Sequence, residues 1–329
     1  MRICVLGDGG WGTALAILLA RKKYSVKLWG AFPGYLQFVK KKRENVKFLP
    51  GIKIPRSLGL VDDLAGAVNR AELIVLAVPT QYARSVLKKL KQYNLGSTNF
   101  LSVAKGIECK TTKRVSEIIN DELGGVRLAV LSGPNIAYEV VRAIPSAAVC
   151  ASTSRNLAAK IQNIFMTQTF RIYTHDDLTG VELAGALKNI IAIACGISDG
   201  LGFGTNTKAA LLTRGLSEIT RLGLLMGADY KTFSGLSGMG DLVTTCFSPN
   251  SRNRWLGEQL GKGKKLKTIL NRTEMVIEGV NTTKSAIKLA KRYKVEMPIT
   301  TEVFKVLYQN KNPRNAVQAL MLRAKKKEA

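Results

Sequence analysis

Short apolar runs alternate with amphipathic stretches through the first half of the chain. Most runs are hydrophobic at nearly every position, which is typical of parallel strands that are buried on both faces. We predict strands at Ile3–Leu6, Val26–Trp29, Leu73–Val78, Asn99–Ala104, Leu128–Leu131 and Ala147–Ala151. The stretches between them have helical periodicity, and the clearest helices are Trp11–Lys23, Tyr82–Lys91 and Thr111–Leu123. This alternation predicts an α/β, Rossmann-type domain with a mostly parallel, doubly wound sheet.

The pattern changes near Thr174–Leu178 and is almost wholly helical from Thr179 onward. The clearest helices there are Val181–Ile197, Thr207–Met226, Thr282–Tyr293 and Pro298–Tyr308. We therefore predict two domains. Residues 1–176 form a dinucleotide-binding domain, and residues 177–329 form an all-helical domain that holds substrate and catalytic groups.

A glycine-rich turn follows the first predicted strand directly. Its sequence, Gly7-Asp8-Gly9-Gly10-Trp11-Gly12, fits G-x-G-x-x-G and opens an apolar helix. The first glycine permits a tight turn, the second lets the backbone approach a pyrophosphate, and the third allows close packing of helix on strand. Free N–H groups at the helix start attract the anion. We predict a nicotinamide dinucleotide site that includes Gly7, Gly9, Gly10, Trp11 and Gly12.

The end of the second strand bears on the choice between NAD and NADP. NAD sites place an acidic residue there for the ribose hydroxyls, whereas NADP sites place a cation near the 2′-phosphate. This chain has Gly30 and Ala31 after Trp29, and so neither. Because Lys40–Arg43 lies a short way along the chain, we predict a preference for NADP, with NAD as the alternative.

One lysine lies within a strongly apolar helix. Leu183–Ile197 has Lys188 and Asn189 as its only strongly polar side chains, and small residues line one face beside the lysine. A helix that is apolar on nearly all sides is buried, and a buried cation is costly unless it is paired. Lys188 could be a structural ion pair or could extend its ammonium to the surface. It could equally be the proton donor that reduction of a ketone requires.

Composition and charge narrow the possible partners. The 329 residues are 46% hydrophobic and 22% charged, with 50 Lys and Arg against 23 Asp and Glu, a net charge of +27. This balance favours anionic partners such as phosphorylated metabolites. The lysines are spread along the chain, so we expect a solvated basic surface and no nucleic-acid partner. The five scattered cysteines indicate a reduced, cytoplasmic protein. We expect neither an export signal nor a membrane span.

Several stretches together resemble one enzyme family, the bacterial-type NAD(P)-dependent glycerol-3-phosphate dehydrogenases. The matching segments are 7–16, 104–108, 131–140, 180–206, 209–222, 232–246 and 248–254. The resemblance implies reversible reduction of dihydroxyacetone phosphate to sn-glycerol 3-phosphate, a small phosphorylated substrate, for glycerophospholipid synthesis. It also implies a homodimer.

The resemblance assigns roles to individual residues. Lys188 is implied as general acid and base, and Asp241 as its catalytic neighbour. The substrate-binding residues implied are Lys105, Gly133, Asn135, Lys188, Asp241, Ser251, Arg252 and Asn253. The further cofactor contacts implied are Lys105, Ala137, Arg252, Val276 and Glu278. Ser251-Arg252-Asn253 would hold the phosphate, because arginine presents a bidentate fork of donors.

Three positions depart from the family pattern. Asn135 stands where Ser or Thr is usual, and Ile136 stands where Phe is usual. Ala31 replaces the usual His or Arg, so this position offers no cation to a cofactor. Two other functions stay open: a β-hydroxyacid dehydrogenase of the same fold, and a non-catalytic dinucleotide sensor. His175 is the only histidine, and no metal-binding motif is present, so we predict no metal.

Overall fold

The computed structural model describes residues 1–325 and 327 and divides the chain into two compact units. The first unit contains Met1–Gly106 and Lys113–Glu182, and the second contains Ile107–Thr112 and the chain from Leu183 onward. The roles predicted for residues 1–176 and 177–329 remain predictions. Residues 326, 328 and 329 of the second predicted domain lie outside the described residues.

Within the described residues, the first unit has one eight-stranded sheet in the order β3-β2-β1-β4-β5-β6-β7-β8. The strands are β1 (Arg2–Leu6), β2 (Ser25–Trp29), β3 (Gly59–Val61), β4 (Leu73–Leu76), β5 (Asn99–Ser102), β6 (Leu128–Ser132), β7 (Ser146–Ala151) and β8 (Phe170–His175). Neighbouring strands are parallel, except that β6 and β7 are antiparallel. This topology confirms the Rossmann-type fold with a mostly parallel sheet.

The helices of the first unit cover both faces of this sheet. They are α1 (Gly10–Arg21), α2 (Pro33–Lys42), α3 (Leu64–Val68), α4 (Thr80–Leu90), α5 (Val115–Leu123), α6 (Ala137–Val141) and α7 (Arg155–Phe165). One apolar core includes side chains of α1, α2 and α7, and a second includes side chains of α3, α4 and α5. Buried on both faces, the central strands are apolar at nearly every position.

Two predicted strands are too long. The predicted strands Leu73–Val78 and Asn99–Ala104 each end two residues earlier, because the ladder between β4 and β5 stops at the pair Leu76 and Ser102. Beyond this pair the backbone leaves the sheet. The carboxyl ends of these strands therefore carry loops, which is where open α/β sheets bind ligands.

Within its described residues, the second unit consists of helices and the segments that connect them, together with Ile107–Thr112. Its helices are α8 (Leu178–Gly200, which begins in the first unit), α9 (Thr205–Leu225), α10 (Tyr230–Ser234), α11 (Asp241–Phe247), α12 (Arg252–Gly261), α13 (Leu266–Leu270), α14 (Glu278–Arg292), α15 (Pro298–Tyr308) and α16 (Pro313–Met321), with a π-helical turn at Leu236–Gly240. Residues 183–197 of α8 are all buried. Helix α8 is long and apolar enough to cross a membrane, but its apolar segment is entirely buried inside the protein, as in a core helix.

Helices α8 and α12 pack with backbone against backbone. A Cβ atom at Gly196 would overlap the Arg254 carbonyl oxygen, and one at Gly257 would overlap the Ile193 carbonyl oxygen. Glycines at these positions let the two helices approach more closely than side chains would permit. This contact fixes the start of α12 relative to the helix that carries Lys188.

A short segment of the N-terminal half belongs to the second unit. Ile107 is fully buried, and its carbonyl oxygen accepts a hydrogen bond from Ser285 Oγ at 3.0 Å. The Lys288 ammonium donates to the Cys109 carbonyl oxygen at 2.9 Å. The predicted helix Thr111–Leu123 therefore starts too early, because residues up to Thr112 pack on α14 and the helix itself begins at Val115.

Candidate active site

The glycine-rich turn between β1 and α1 leaves space where a dinucleotide would need it. Gly7 has φ +118°, and a Cβ there would lie 2.8 Å from backbone atoms of Ala77 and Val78. A Cβ on Gly12 would overlap the Gly7 carbonyl oxygen, whereas one on Gly9 would meet nothing within 4 Å. Helix α1 has Gly9 as its N-cap, with no side-chain cap. The turn is thus closed on the protein side and open in front of an uncapped helix start.

Two neighbouring side chains fix this turn. Asn45 Nδ2 donates to the Asp8 carbonyl oxygen at 2.7 Å, and Thr13 Oγ1 donates to the same oxygen at 3.2 Å. Trp11 packs edge-on against Phe170 with 6.4 Å between ring centroids. Its buried indole Nε1 has no hydrogen-bond partner among the described residues. The turn therefore has a fixed backbone, while the cofactor contact predicted for Trp11 remains a prediction.

Lys105, Gly133 and Asn135 lie together beyond the carboxyl ends of β5 and β6. The Lys105 ammonium donates to the Gly133 carbonyl oxygen at 2.9 Å. Gly133 has φ +134°, and a Cβ there would lie 3.0 Å from Ala148 Cα, so the position suits glycine alone. Ala137 follows shortly as the first residue of α6. The first unit thus gathers four of the residues to which the resemblance assigns contacts.

Asn135 presents a hydrogen-bond acceptor that has no partner within the described chain. Its Nδ2 donates to the Ala147 carbonyl oxygen at 2.8 Å, whereas its buried Oδ1 has no hydrogen-bond partner in the described chain. A buried carbonyl oxygen without a donor is costly unless a ligand supplies one. A substrate hydroxyl could supply it.

The Lys188 ammonium forms a buried ion pair with Asp241. Lys188 Nζ lies 2.6 Å from Asp241 Oδ1 and 2.5 Å from Thr245 Oγ1. Lys188 is 5% exposed and Asp241 is 1% exposed. Asp241 is the first residue of α11 and Thr245 follows one turn later, so both side chains lie on one helix face. Lysine on α8 and two oxygens on α11 thus form one cluster within the second unit.

The segment Ser251-Arg252-Asn253 opens α12. Ser251 is the N-cap of the helix, and its Oγ accepts the Arg254 N–H at 3.2 Å. The Arg252 guanidinium donates to the Val276 carbonyl oxygen at 3.3 Å. Burial lowers the pKa of Arg252, and the nearby Glu278 carboxylate opposes this shift. The structure therefore brings Arg252 together with Val276 and Glu278, while the ligand contacts predicted for these three residues remain predictions.

Two polar residues near the lysine were absent from the predicted site. Thr245 accepts a hydrogen bond from the Lys188 ammonium, and Asn189 Oδ1 accepts one from Asn253 Nδ2 at 2.9 Å. Sequence signals existed for both. Thr245 lies four residues after Asp241 on the same helix face, and Asn189 is the second strongly polar residue of the apolar helix.

The single histidine lies at the end of β8, where its Nδ1 accepts the Asp177 N–H at 2.9 Å. This contact orders the chain just before α8 and is structural. Across residues 1–325 and 327, no three His, Cys, Asp or Glu side chains are grouped so that they could hold a metal ion.

The Rossmann-type sheet, its glycine turn and the helical second unit define a class of protein, the nicotinamide-dependent dehydrogenases. Two family models match the chain: the N-terminal part of NAD-dependent glycerol-3-phosphate dehydrogenase at residues 2–158, and the C-terminal part at residues 177–318. The chain belongs to the NAD-dependent glycerol-3-phosphate dehydrogenase family.

Individual relatives are similar over their whole length. The glycerol-3-phosphate dehydrogenase [NAD(P)+] of Chlorobium phaeobacteroides (strain BS1) is 49% identical, with 100% of this chain and 99% of the relative covered. The crystal structure of glycerol-3-phosphate dehydrogenase from Coxiella burnetii is 38% identical, with 98% of this chain and 99% of that chain covered and a TM-score of 0.95. The glycerol-3-phosphate dehydrogenase structure from Saccharomyces cerevisiae is 28% identical, with 97% and 98% covered and a TM-score of 0.81.

Proposed function

We infer that this protein catalyses the reversible, NAD(P)H-dependent reduction of dihydroxyacetone phosphate to sn-glycerol 3-phosphate. The observation that carries this inference is the buried cluster of Lys188, Asp241 and Thr245 in a member of this family. Either NADH or NADPH serves as the reductant, as the names of the relatives indicate. The product supplies glycerophospholipid synthesis.

The residues of the glycine turn suit the cofactor. The reduced nicotinamide, when bound, supplies the hydride that adds to C2 of the substrate. Gly9 leaves open space in front of the turn, and the uncapped N–H groups at the start of α1 can bind the pyrophosphate. We propose that Gly7, Gly9, Gly10, Trp11 and Gly12 form the main part of this site, with Lys105, Ala137, Arg252, Val276 and Glu278 as further cofactor contacts.

Lys188 would protonate the oxygen that becomes negative as hydride adds to the ketone. Among the described residues, its ammonium group donates to two acceptors, Asp241 Oδ1 and Thr245 Oγ1, and it has three hydrogens. The third N–H can therefore point to a substrate oxygen. Asp241 keeps the ammonium oriented and compensates its charge in a buried position. In the reverse direction, the neutral amine would accept the proton from the alcohol.

Arg252 would bind the substrate phosphate together with Ser251 and Asn253. A guanidinium offers several N–H donors in one plane, and the Val276 carbonyl engages only one of its nitrogens. Partial desolvation strengthens its attraction for an anion, because fewer water molecules screen the charge. Lys105, Gly133 and Asn135 would contact the remaining substrate oxygens.

The decisive assay follows the absorbance of NADH and NADPH separately during reduction of dihydroxyacetone phosphate. Wild type is compared with Lys188→Ala and with the matched control Lys305→Ala, which removes a lysine paired with Glu302 on α15. We expect kcat to fall by about 10²- to 10⁴-fold in Lys188→Ala and to stay near wild type in the control. Cofactor dissociation constants should be unchanged in both variants.

The same assay separates the two alternative functions. Folded, cofactor-bound wild type that ignores dihydroxyacetone phosphate but oxidises NAD(P)H with a β-ketoacid would be a β-hydroxyacid dehydrogenase. Protein that binds cofactor but turns over neither substrate would be a sensor. The Lys188–Asp241 pair argues against a sensor, because a binding protein has no need for a buried proton donor.

We also propose that the protein is a cytoplasmic homodimer. Apolar side chains are exposed on four consecutive helical segments of the second unit, at Leu224, Leu225, Tyr230, Met239, Val243 and Phe247, and a second copy could cover them. The five cysteines are thiols rather than disulfides, as expected in a reducing compartment. Sedimentation equilibrium would show a mass near twice 35.8 kDa, and a monomer at micromolar concentration would contradict the dimer.

A further inference from the structure

We propose that this protein binds NADH in preference to NADPH and that Asp8 sets this selectivity. The inference rests on the proposed function and names the cofactor that the same site takes. It reverses the preference for NADP that the sequence suggests.

The Asp8 carboxylate lies at the place where NAD-selective sites need an acid. Gly30 directly follows β2, and a Cβ atom there would lie 2.5 Å from Asp8 Oδ2 and 2.8 Å from Asp8 Cγ. The glycine therefore leaves room for the carboxylate beside the end of β2. NAD sites usually take this acid from the end of β2 itself. In this chain the acid is instead Asp8, which lies in the glycine-rich turn after β1.

This carboxylate lacks a hydrogen-bond donor on one oxygen. Asp8 Oδ2 is buried and has no partner among the described residues. Burial raises the pKa of Asp8, and a hydrogen bond from its own backbone N–H partly opposes the shift. The hydroxyl groups of an adenosine ribose can donate to such an oxygen. A 2′-phosphate has only acceptor oxygens at neutral pH, so it would face an acceptor of like charge.

The backbone of Asp8 is held by two neighbouring side chains. Its carbonyl oxygen accepts hydrogen bonds from Asn45 Nδ2 at 2.7 Å and from Thr13 Oγ1 at 3.2 Å. The Asn45 side chain is held in turn by Tyr35, whose hydroxyl donates to Asn45 Oδ1 at 2.6 Å.

No cation follows β2 to compensate a 2′-phosphate. The residues after Trp29 are Gly30, Ala31 and Phe32, and Phe32 is 72% exposed. An aromatic side chain here can stack on adenine, which is the same in both cofactors.

The preference for NADP depended on the basic run Lys40–Arg43. Its residues either have other partners or lie far from the end of β2. The Arg43 guanidinium donates to the carbonyl oxygens of Pro55 and Leu58. The Lys40 ammonium lies 4.0 Å from the Asp62 carboxylate, which adds a second negative charge after β3. Lys41 and Lys42 end α2, about 12 Å along the helix from its start beside β2.

The test measures binding of each cofactor without substrate, so it does not depend on turnover. Nicotinamide fluorescence is titrated with NADH and NADPH for wild type, Asp8→Asn, Ala31→Arg and the control Asp176→Asn. Asp176 is an exposed carboxylate at the end of the sheet, so its removal changes net charge equally. We expect wild type to bind NADH at least tenfold more tightly than NADPH, because apposed like charges are strongly unfavourable.

Asp8→Asn keeps an acceptor for the ribose but removes the charge. Its dissociation constant for NADPH should fall about tenfold or more, while that for NADH changes less than threefold. Ala31→Arg should also tighten NADPH binding, and it keeps the proposal testable if Asp8→Asn fails to fold. Asp176→Asn should leave the ratio unchanged.

Three outcomes would overturn the proposal. Wild type that binds NADPH as tightly as NADH would refute it while leaving the proposed reaction intact. If Asp8→Asn and Asp176→Asn changed the ratio of the NADPH and NADH dissociation constants equally, net charge rather than the position of the carboxylate would set that ratio. Folded wild type that binds neither cofactor would refute both this proposal and the proposed function.

Discussion

Asn253 is hydrogen-bonded to Asn189 through one atom of its amide and to the backbone of α14 through the other. Its Nδ2 donates to Asn189 Oδ1 at 2.9 Å, and its Oδ1 accepts the Gly279 N–H at 2.9 Å. A Cβ on Gly279 would lie 2.5 Å from that Oδ1, so the glycine permits the contact. One side chain thus joins α12, α8 and α14 beside both Arg252 and Lys188.

Asn253→Ala should weaken substrate binding and stability together. The substitution leaves a donor on Gly279 and an acceptor on Asn189 without this partner, at a cost of about 1–3 kcal/mol. We expect KM for dihydroxyacetone phosphate to rise at least about tenfold, because α12 carries the proposed phosphate ligands. Steady-state kinetics and thermal unfolding measure the two effects. Asn271→Ala, at the exposed end of α13, is the control, and an equal change there would contradict the argument.

Asp241→Asn should destabilise the protein and slow catalysis. The variant keeps the size of the side chain but leaves the Lys188 charge without its buried counterion. Breaking a buried pair costs about 3–5 kcal/mol, which urea unfolding would detect. The comparison is Glu258→Gln, which removes an exposed i,i+4 pair with Lys262 and should cost less than about 1 kcal/mol. Similar losses in both variants would mean that burial of the Lys188–Asp241 pair is energetically unimportant.

Gly257→Ala should separate α12 from α8. The added methyl group would overlap the Ile193 carbonyl oxygen, and backbone cannot yield as a flexible side chain can. We expect a loss of about 1–3 kcal/mol in the free energy of unfolding, with a raised KM for the phosphorylated substrate. Gly34→Ala on α2 is the matched control. A Cβ at Gly34 meets nothing within 4 Å, so this helix should be stabilised by about 0.5 kcal/mol. If both variants changed the free energy of unfolding in the same direction, the packing argument would be contradicted.

Alkylation at pH 8 should begin at Cys109. Burial raises the pKa of Cys4 and Cys150 to about 12. A hydrogen bond with Cys195, followed by burial, raises the pKa of Cys246 well above its usual value. Thiolate is the reactive form, so Cys4 and Cys150 should react only as the pH approaches 12 or after unfolding. Cys246 should likewise stay unreactive at pH 8. Cys109 is half-buried. Peptide mass spectrometry after iodoacetamide would identify the labelled site, and early labelling of Cys4 would contradict this order.

The sequence predicted the strands that are buried on both faces and missed those that are not. β3 has three residues, too few to show a period. β8 lies at the sheet edge with alternating burial, Phe170 and Ile172 inside and Arg171 and Tyr173 outside, and its polar positions concealed it. Short helices such as α3 depend on a cap, here Asp63, more than on periodicity.

The sequence alone predicted the parts of the candidate site whose residues lie within a single segment. The glycine turn and the polar residues of α8 lie within single elements, so local pattern located them. The pairing of Lys188 with Asp241 spans 53 residues, and the resemblance rather than any local pattern indicated it. The approach of Asp8 to Gly30 depends on the pairing of β1 with β2 and on a missing Cβ, so the end of β2 considered alone suggested NADP rather than the NADH that we propose.

Because Ile107–Thr112 belongs to the second unit, the chain passes between the two units three times. The backbone leaves the sheet unit after Gly106, completes the surface of α14 with six residues, and returns at Lys113 before leaving again at Leu183. A gene divided at one point therefore cannot yield both units whole. A C-terminal fragment would lack the residues that cover Ser285 and Lys288, and the N-terminal fragment would carry Ile107 without the core that buries it. To produce the first unit alone, both residues 107–112 and the chain from Leu183 onward must be removed, with a linker in place of residues 107–112.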